Sequence, residues 1–246
     1  MASPESFLQS RGLEPLSWDN VLTRLEAMLS PEEAATFARL HRGFTAYPTE
    51  HTCRAFYDFA ARHHLLGLLA SHRFARLKAI LSSLQTEEAV QVGGTALDVG
   101  AGAGFLAAWL RDEAGFNVCA LDLSPAIAQK LEAAGFAGPR PGARFDLILC
   151  ADSLGEINAD EDDWLSDPLN LSDEAFGDEL EARYGLVHKL SPYKDLLQEG
   201  GEVLVYEPID LPHFWVGAAQ HLQRAGWTAE VLGPAPTWGL RLRLGL

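Results

Sequence analysis

The sequence predicts an α/β fold in which a doubly wound, mostly parallel sheet follows a helical N-terminal extension. Residues 95–110 change from an apolar run, through a glycine-rich turn, to apolar residues at helical spacing. This order is typical of a strand, a tight turn and a helix. Two more short apolar runs, 118–121 and 145–150, predict strands that are buried on both faces, with a helical pattern between them. With 246 residues, 48% of them hydrophobic, the chain can bury such a core.

The first 92 residues are predicted to form helices that precede the sheet. Ser30 and Glu33 have the spacing of a capping box, which predicts a helix that starts at the residue after Ser30. Apolar residues at helical spacing predict one long helix across Phe56–Leu69 and another over Phe74–Leu84. We therefore expect a helical unit over residues 1–92.

The glycine turn has the composition of a ligand-binding loop. Gly100, Gly102 and Gly104 tolerate positive φ angles and allow a ligand to approach the backbone closely. Asp98 lies in the buried strand before the turn, where an unpaired carboxylate is too costly unless it has something to bind. The helix that begins near Phe105 presents its free N–H groups to the same place. The pattern predicts a binding crevice at the carboxyl end of this strand.

The segment DVGAGAG, Asp98–Gly104, resembles motif I of the class I S-adenosylmethionine (SAM) dependent methyltransferases. The resemblance implies a Rossmann-like fold with a seven-strand-type sheet, in which the glycine loop passes under the amino acid and ribose of SAM. Asp122 ends the second predicted strand, 20 residues after Gly102, where a carboxylate can accept hydrogen bonds from both ribose hydroxyls. We expect residues 93–246 to form this SAM-binding domain, with the N-terminal helices on its substrate side. The cofactor-binding residues that the resemblance implies are Asp98, Gly100, Ala101, Gly102, Gly104, Asp122, Leu123 and Ala151.

A dinucleotide-binding fold and a purely structural glycine turn are the alternatives. Gly102, Gly104 and Ala107 have the G-x-G-x-x-A spacing of a nicotinamide or flavin site. Asp98 argues against such a site, because a pyrophosphate at the turn would face its carboxylate, whereas the ammonium group of SAM would be paired by it. We therefore expect SAM as the cofactor.

The chain is too short for the family pattern at one place. Ser124 and Pro125 predict a helix that runs through Leu131, and only the ten residues 135–144 lead from it into the strand at 145–150. This leaves too little chain for the usual third strand and its helix. No acid or amide matches the position that lies near adenine in the family. Either the backbone reads the edge of adenine, or cofactor binding has been lost.

The residues after the strand Phe145–Cys150 bear on the methyl acceptor. Family members that methylate amino groups of bases or glutamine carry a proline pair and an aromatic residue here, whereas Ala151–Leu154 reads ADSL. We expect a small-molecule acceptor; a protein or RNA methyltransferase and a non-catalytic module that retains the fold are the alternatives. If a general base is used, His213 is the first candidate, because its ordinary pKa lies near neutrality and its loop should face the crevice. Glu207 and Asp152 come next.

The rest of the chain predicts elements that complete the sheet. Ser191 and Pro192 predict a short helix that ends at Gly200 and Gly201, with a strand over residues 202–207. The further predicted elements are a helix and two closing strands, at 214–225, 228–233 and 239–246.

Charge is distributed unevenly along the chain. Within the net charge of −15, residues 152–181 contribute twelve acids and no Lys or Arg, largely inside a predicted insertion over 155–190. Residues 39–78 carry seven Lys or Arg against two acids. Because negative charge beside the crevice would repel polyanions, we expect no nucleic-acid partner. We hypothesise that the insertion closes on the basic helices as a lid.

Composition disfavours several other classes of protein. No apolar run of 18 residues predicts a membrane span, and the first residues lack the basic and apolar regions of a signal peptide, so we expect a cytoplasmic protein. Cys53, Cys119 and Cys150 show no C-x-x-C spacing and are expected to be reduced. No pair of histidines has ligand spacing on one helix face, so no metal site is expected.

Overall fold

A computed structural model describes residues 2–154, 179, 181, 184–209, 212–233 and 237–245, without the side chains of Gln91, Val92 and His213. In this part of the chain, helices precede the sheet, and strands and helices then alternate. The helices before the sheet are α1 (Pro4–Ser10), α2 (Trp18–Met28), α3 (Pro31–Ala46), α4 (Glu50–Arg62), α5 (Leu66–His72), α6 (Phe74–Leu84) and α7 (Glu88–Val92).

Side-chain caps fix where helices α1 to α4 begin. Ser3, Ser17, Ser30 and Thr49 each accept a hydrogen bond from the backbone N–H three residues further on. The capping box predicted from the sequence is confirmed, because Glu33 also accepts the N–H of Ser30 at 2.8 Å.

The single long helix predicted across Phe56–Leu69 is wrong. Helix α4 ends at Arg62, and His64 has a φ of +59°, in the left-handed region. The N–H of Leu65 then donates to the carbonyl oxygen of Ala60 at 2.8 Å, which closes the end of the helix. Ala60 and Leu65 are both fully buried in one cluster. The hydrophobic pattern therefore continues across the break and does not reveal it.

A mostly parallel sheet follows the helices, as predicted. Its strands within the described residues are β1 (Thr95–Val99), β2 (Asn117–Leu121), β3 (Phe145–Ala151), β4 (Leu197–Tyr206), β5 (Trp227–Leu232) and β6 (Gly239–Leu244). They lie in the order β2-β1-β3-β4-β6-β5; strands β1 to β4 are parallel, and β6 is antiparallel to β4 and β5. The accompanying helices are α8 (Phe105–Asp112), α9 (Pro125–Ala133), α10 (Leu186–Lys194) and α11 (Pro212–Arg224). The α/β fold class is confirmed.

The described part of the sheet has six strands, one fewer than the seven-strand type. Residues 134–144, all of them described, join α9 to β3 without a helix or strand. The N–H of Ala120 in β2 donates to the carbonyl oxygen of Ala137 in this linker at 3.2 Å. The linker thus covers part of the outer edge of β2, where a third strand would otherwise pair.

The helix predicted to run from Ser191 to the glycine pair is wrong. Helix α10 begins at Leu186 and contains Pro192, and strand β4 has already begun at Leu197. A Cβ atom at Gly201 would lie 2.7 Å from the carbonyl oxygen of Phe145. Glycine here allows β4 to approach β3 closely and does not end a helix.

Helices cover both faces of the sheet. Leu147 and Leu149 pack in one core with residues of α1, α6 and α8, whereas Ile148 and Val203 pack in another with residues of α10 and α11. A third cluster, which includes Phe37, lies among helices α2 to α5. Part of the N-terminal extension therefore shares the core of the sheet, and a domain boundary between residues 92 and 93 stays a prediction.

Candidate active site

The carboxyl ends of β1, β2 and β3 open into a cavity of about 550 Å³. We call the residues that follow β1 and β2 the strand wall; these are the glycine loop 100–104 and Asp122–Ser124. The side chains of helices α3 to α6 that line the cavity, together with Arg76 behind them, form the helical wall. The helical wall residues in contact with the cavity include Phe44, Cys53, Arg54, Tyr57, Leu66, Leu69, Arg73, Leu77 and Ile80.

The glycine loop adopts the backbone that its composition predicts. Gly100, Gly102 and Gly104 have φ angles of +69°, +53° and +77°, all in the region that side chains disfavour. A Cβ atom at Gly100 would lie 2.5 Å from the Cβ atom of Ser153, and one at Gly104 would lie 2.9 Å from a methyl carbon of Leu131. At Gly102 the nearest atom to a Cβ atom would be the carbonyl oxygen of Gly100, 3.9 Å away. The loop is therefore clamped at both ends and open in its middle, on the side of the cavity.

Asp122 joins the end of β2 to this loop. Its Oδ2 accepts the N–H of Gly102 at 2.9 Å, and its Oδ1 accepts the N–H of Ser124 at 2.8 Å. Burial raises the pKa of Asp122, and the negative charge of Asp58 adds to the rise. Each carboxylate oxygen keeps capacity for a further donor, and the residue lines the cavity beside the exposed Leu123.

Asp98 lies beneath helix α8, away from the residues that line the cavity. It is 1% exposed, accepts a backbone hydrogen bond from Ala107, and its Oδ2 has no hydrogen-bond partner among the described residues. Burial raises its pKa to about 7. The pairing of Asp98 with a ligand ammonium group stays a prediction. Of the cofactor-binding residues predicted, Gly100, Ala101, Gly102, Asp122, Leu123 and Ala151 line the cavity, and Asp98 and Gly104 do not.

Asp152, a predicted general base, is held by the helical wall. Its φ is +52°, uncommon for a residue other than glycine. Arg76 donates to its Oδ1 from Nε at 3.2 Å and from Nη2 at 2.9 Å, and Nη1 of Arg73 lies 3.4 Å from its Oδ2. The oxygens of this carboxylate are therefore already engaged by two guanidinium groups. Arg73, Arg76 and the neighbouring Tyr57 were not predicted as site residues, and for the two arginines the basic stretch 39–78 was the available signal.

Glu207, at the end of β4, is buried against the segment that follows β3. Its Oε1 accepts the N–H groups of Ser153 and Leu154, both at 2.9 Å. Burial raises the pKa of Glu207 to about 7. The negative charge of Asp152 also raises this pKa, whereas the two backbone N–H groups lower it. The residue lines the cavity. A carboxyl group with this pKa can exchange a proton near neutral pH.

Comparison with known proteins identifies the family. Residues 69–173 match a family model described as "Methyltransferase domain". The fold is similar to that of human N-acetylserotonin methyltransferase in complex with SAM, with a TM-score of 0.52, 15% identity, and coverage of 92% of this chain and 70% of that one. Residues 69–173 thus contain a methyltransferase domain, and the resemblance to class I SAM-dependent methyltransferases found at the glycine loop is confirmed.

Two further solved methyltransferase-fold structures are similar to this class I methyltransferase. The DhpI-SAM-HEP complex has a TM-score of 0.53 and 15% identity, and the alignment covers 77% of this chain and 94% of that one. An O-methyltransferase family protein from Burkholderia thailandensis has a TM-score of 0.50 and 14% identity, with coverage of 87% and 70%. No curated protein matches the sequence. At sequence identities of 14% and 15%, the similarity to these structures shows a shared fold and no more.

The remaining predictions concern parts of the methyltransferase that are largely not described. The side chain of His213, at the start of α11, and most of the predicted insertion 155–190 lie outside the described residues, so the lid stays a hypothesis. None of the described helices is long and apolar enough to cross a membrane. In the same part of the chain, no group of three or more His, Cys, Asp or Glu side chains could hold a metal ion.

Proposed function

We propose that this SAM-dependent methyltransferase acts on a small-molecule acceptor held in the cavity between the strand wall and the helical wall. The observation that carries the proposal is the cavity itself: its volume of about 550 Å³ is in the range of small-molecule sites. Helices α3 to α6 supply a largely apolar lining opposite the glycine loop. A site with walls on both sides suits a compact ligand better than a polymer.

The strand wall has the chemistry that SAM requires. Carboxylate oxygens of Asp122 retain capacity for two ribose hydroxyls, and the open middle of the loop at Gly102 leaves room for a ligand against the backbone. When bound, SAM supplies an activated methyl group on a sulfonium. The chain's own contribution is to hold the acceptor in line with that methyl group and to exclude water from it.

We assign the general base to Glu207 in place of His213, the first candidate from the sequence. Glu207 lines the cavity, and its pKa of about 7 allows it to accept a proton from an acceptor hydroxyl or ammonium group near neutral pH. The N–H groups of Ser153 and Leu154 fix one carboxylate oxygen, Oε1, and so orient the group. Asp152 is instead engaged by Arg76, as described above.

Two measurements test this function. Isothermal titration with SAM and with its demethylated product, S-adenosylhomocysteine (SAH), should show binding, and the absence of binding to both would contradict it. Radiolabelled SAM should then transfer its methyl group to a component of a small-metabolite extract. Label that appears instead in the protein fraction or in RNA would favour a macromolecular acceptor. Binding without any transfer would favour a non-catalytic module.

A further inference from the structure

Arg73 has hydrogen-bond donors that no described residue uses. It lies at the junction of α5 and α6, and its side chain is 44% exposed and lines the cavity. The contact of Nη1 with Asp152 Oδ2 is 3.4 Å, longer than an ordinary N–H···O hydrogen bond. Within the described part of the chain this is its one ion pair. A guanidinium carries five N–H donors in a planar fork that matches a carboxylate.

Arg76 differs from Arg73 in both exposure and bonding. Its side chain is 19% exposed, and two of its nitrogens donate to Oδ1 of Asp152. One guanidinium is therefore enough to neutralise this carboxylate. Counting Arg73 and Arg76 against Asp152, the group has one positive charge in excess, and of the two arginines only Arg73 lines the cavity. Glu207 also acts on Arg73 and, with a pKa of about 7, offsets this excess only when it is deprotonated.

Tyr57 adds a second donor at the same place. Its hydroxyl forms no hydrogen bond with another described residue, and the ring lines the cavity. Burial raises the pKa of Tyr57, although the positive charge of Arg73 lowers it, so the phenol keeps its proton. Both residues line the same cavity. An anionic group between them would receive hydrogen bonds from both.

The position of Arg73 relative to the strands indicates which ligand group it meets. Strand β1 lies between β2 and β3, so Asp122 and Asp152 lie on opposite sides of the glycine loop. Adjacent strands are about 4.8 Å apart, which places the ends of β2 and β3 roughly 10 Å from each other. Ser153 is packed against Gly100, at the start of the loop. A SAM molecule whose ribose is bound by Asp122 therefore reaches Arg73 with one of its two ends, and of these only the amino-acid end carries a carboxylate that suits a guanidinium.

We propose that Arg73, with the hydroxyl of Tyr57 beside it, binds the α-carboxylate at the amino-acid end of SAM and SAH. This inference rests on the proposed function, because it requires that the cavity takes this cofactor. An acidic group on the methyl acceptor has the same chemistry, and the experiment separates the two sources.

The test compares SAH with an analogue of SAH that lacks the carboxylate, by isothermal titration. The wild-type protein should bind SAH about 10- to 100-fold more tightly than the analogue, the range expected for hydrogen bonds to a charged group. Arg73→Met should bind SAH about 10- to 100-fold more weakly than the wild type and should bind both ligands about equally. Arg24→Met is the matched control, since Arg24 is similarly exposed at 50%, pairs with Glu14 and does not line the cavity, and it should keep the wild-type preference.

Each outcome decides one point. If Arg73→Met keeps the preference for SAH, the proposal is overturned, and loss of methyl transfer in that variant would assign Arg73 to the acceptor. If the wild-type protein binds SAH but not more tightly than the analogue, the carboxylate site is absent although the proposed function stands. If it binds neither ligand, the proposed function itself fails. Arg73→Lys, which keeps the charge but not the fork, should give an intermediate preference and serves if the Met variant does not fold.

Discussion

The two walls of the cavity differ in how far apart their interacting residues lie in the sequence. On the strand wall, Asp122 accepts the N–H of Gly102, 20 residues earlier, and of Ser124, two residues later. The helical wall depends on Arg76, which reaches Asp152 across 76 residues. A β-α unit brings its own glycine loop and acid together, whereas the second pairing requires the extension to pack on the sheet. The strand wall can therefore be derived from local spacing, and the helical wall cannot.

The largest effect is expected at Glu207. Its hydrogen bonds with Ser153 and Leu154 also join residues that are distant in the sequence. Glu207→Gln keeps the shape but removes the proton acceptor, so the methyl-transfer rate should fall by about 10²- to 10⁴-fold. In the wild type, Glu207 is a base only when deprotonated. With a pKa of about 7, the rate should rise between about pH 6 and 8 and then level off. The methyl-transfer rate, measured as a function of pH in the wild type and in Glu207→Gln, tests both expectations.

Glu199→Gln is the control for the loss of one negative charge, because Glu199 is exposed and lies on the same strand, β4. It should retain both the rate and the rise with pH. Glu207→Gln with an unchanged rate and profile would remove the assigned base and return His213 to the first place.

The next effect is expected within the glycine loop. Gly100→Ala should lower the free energy of unfolding by about 2 to 4 kcal/mol, because the new Cβ atom meets Ser153 in a backbone region unfavourable to alanine. Gly102→Ala should cost only about 1 kcal/mol, since its φ is also positive but its Cβ atom has room. Urea unfolding of both variants measures the difference. Equal costs would show that the loop is not clamped against the end of β3.

At Asp122 the expected effect is on the affinity for SAH. Asp122→Ala should weaken SAH binding by about 1 to 3 kcal/mol, because two ribose hydroxyls would lose their acceptor in a partly buried site. Asp122→Asn retains one acceptor oxygen and should lose less. Titration with SAH, on variants whose folding is checked by circular dichroism, gives both values. An Ala variant that is folded and binds SAH like the wild type would contradict the ribose assignment.

Particular residues show how much could be predicted from the sequence. The helix after Gly104 and the strand at Phe145 were predicted because their apolar periods are distinct and their ends carry strong turn residues. The break at His64 was not, because the left-handed residue is not glycine and the buried positions continue through it. Asp98 was identified as significant, but a sequence pattern does not show whether a buried carboxylate faces the ligand or the adjoining helix.

The smallest effect is expected at Arg76, and it distinguishes the two arginines of the helical wall. Arg76 and Asp152 are both largely buried and share two hydrogen bonds, and Asp152 is held in a positive-φ conformation that needs support from its surroundings. Arg76→Met should therefore lower the free energy of unfolding by about 1 to 2 kcal/mol. Arg73, half-exposed and in looser contact, should cost less than about 0.5 kcal/mol when changed to Met. Urea unfolding of the two variants at one pH compares them directly. Equal losses of stability would mean that both arginines serve the fold, and the reason for assigning Arg73 to a ligand would be gone.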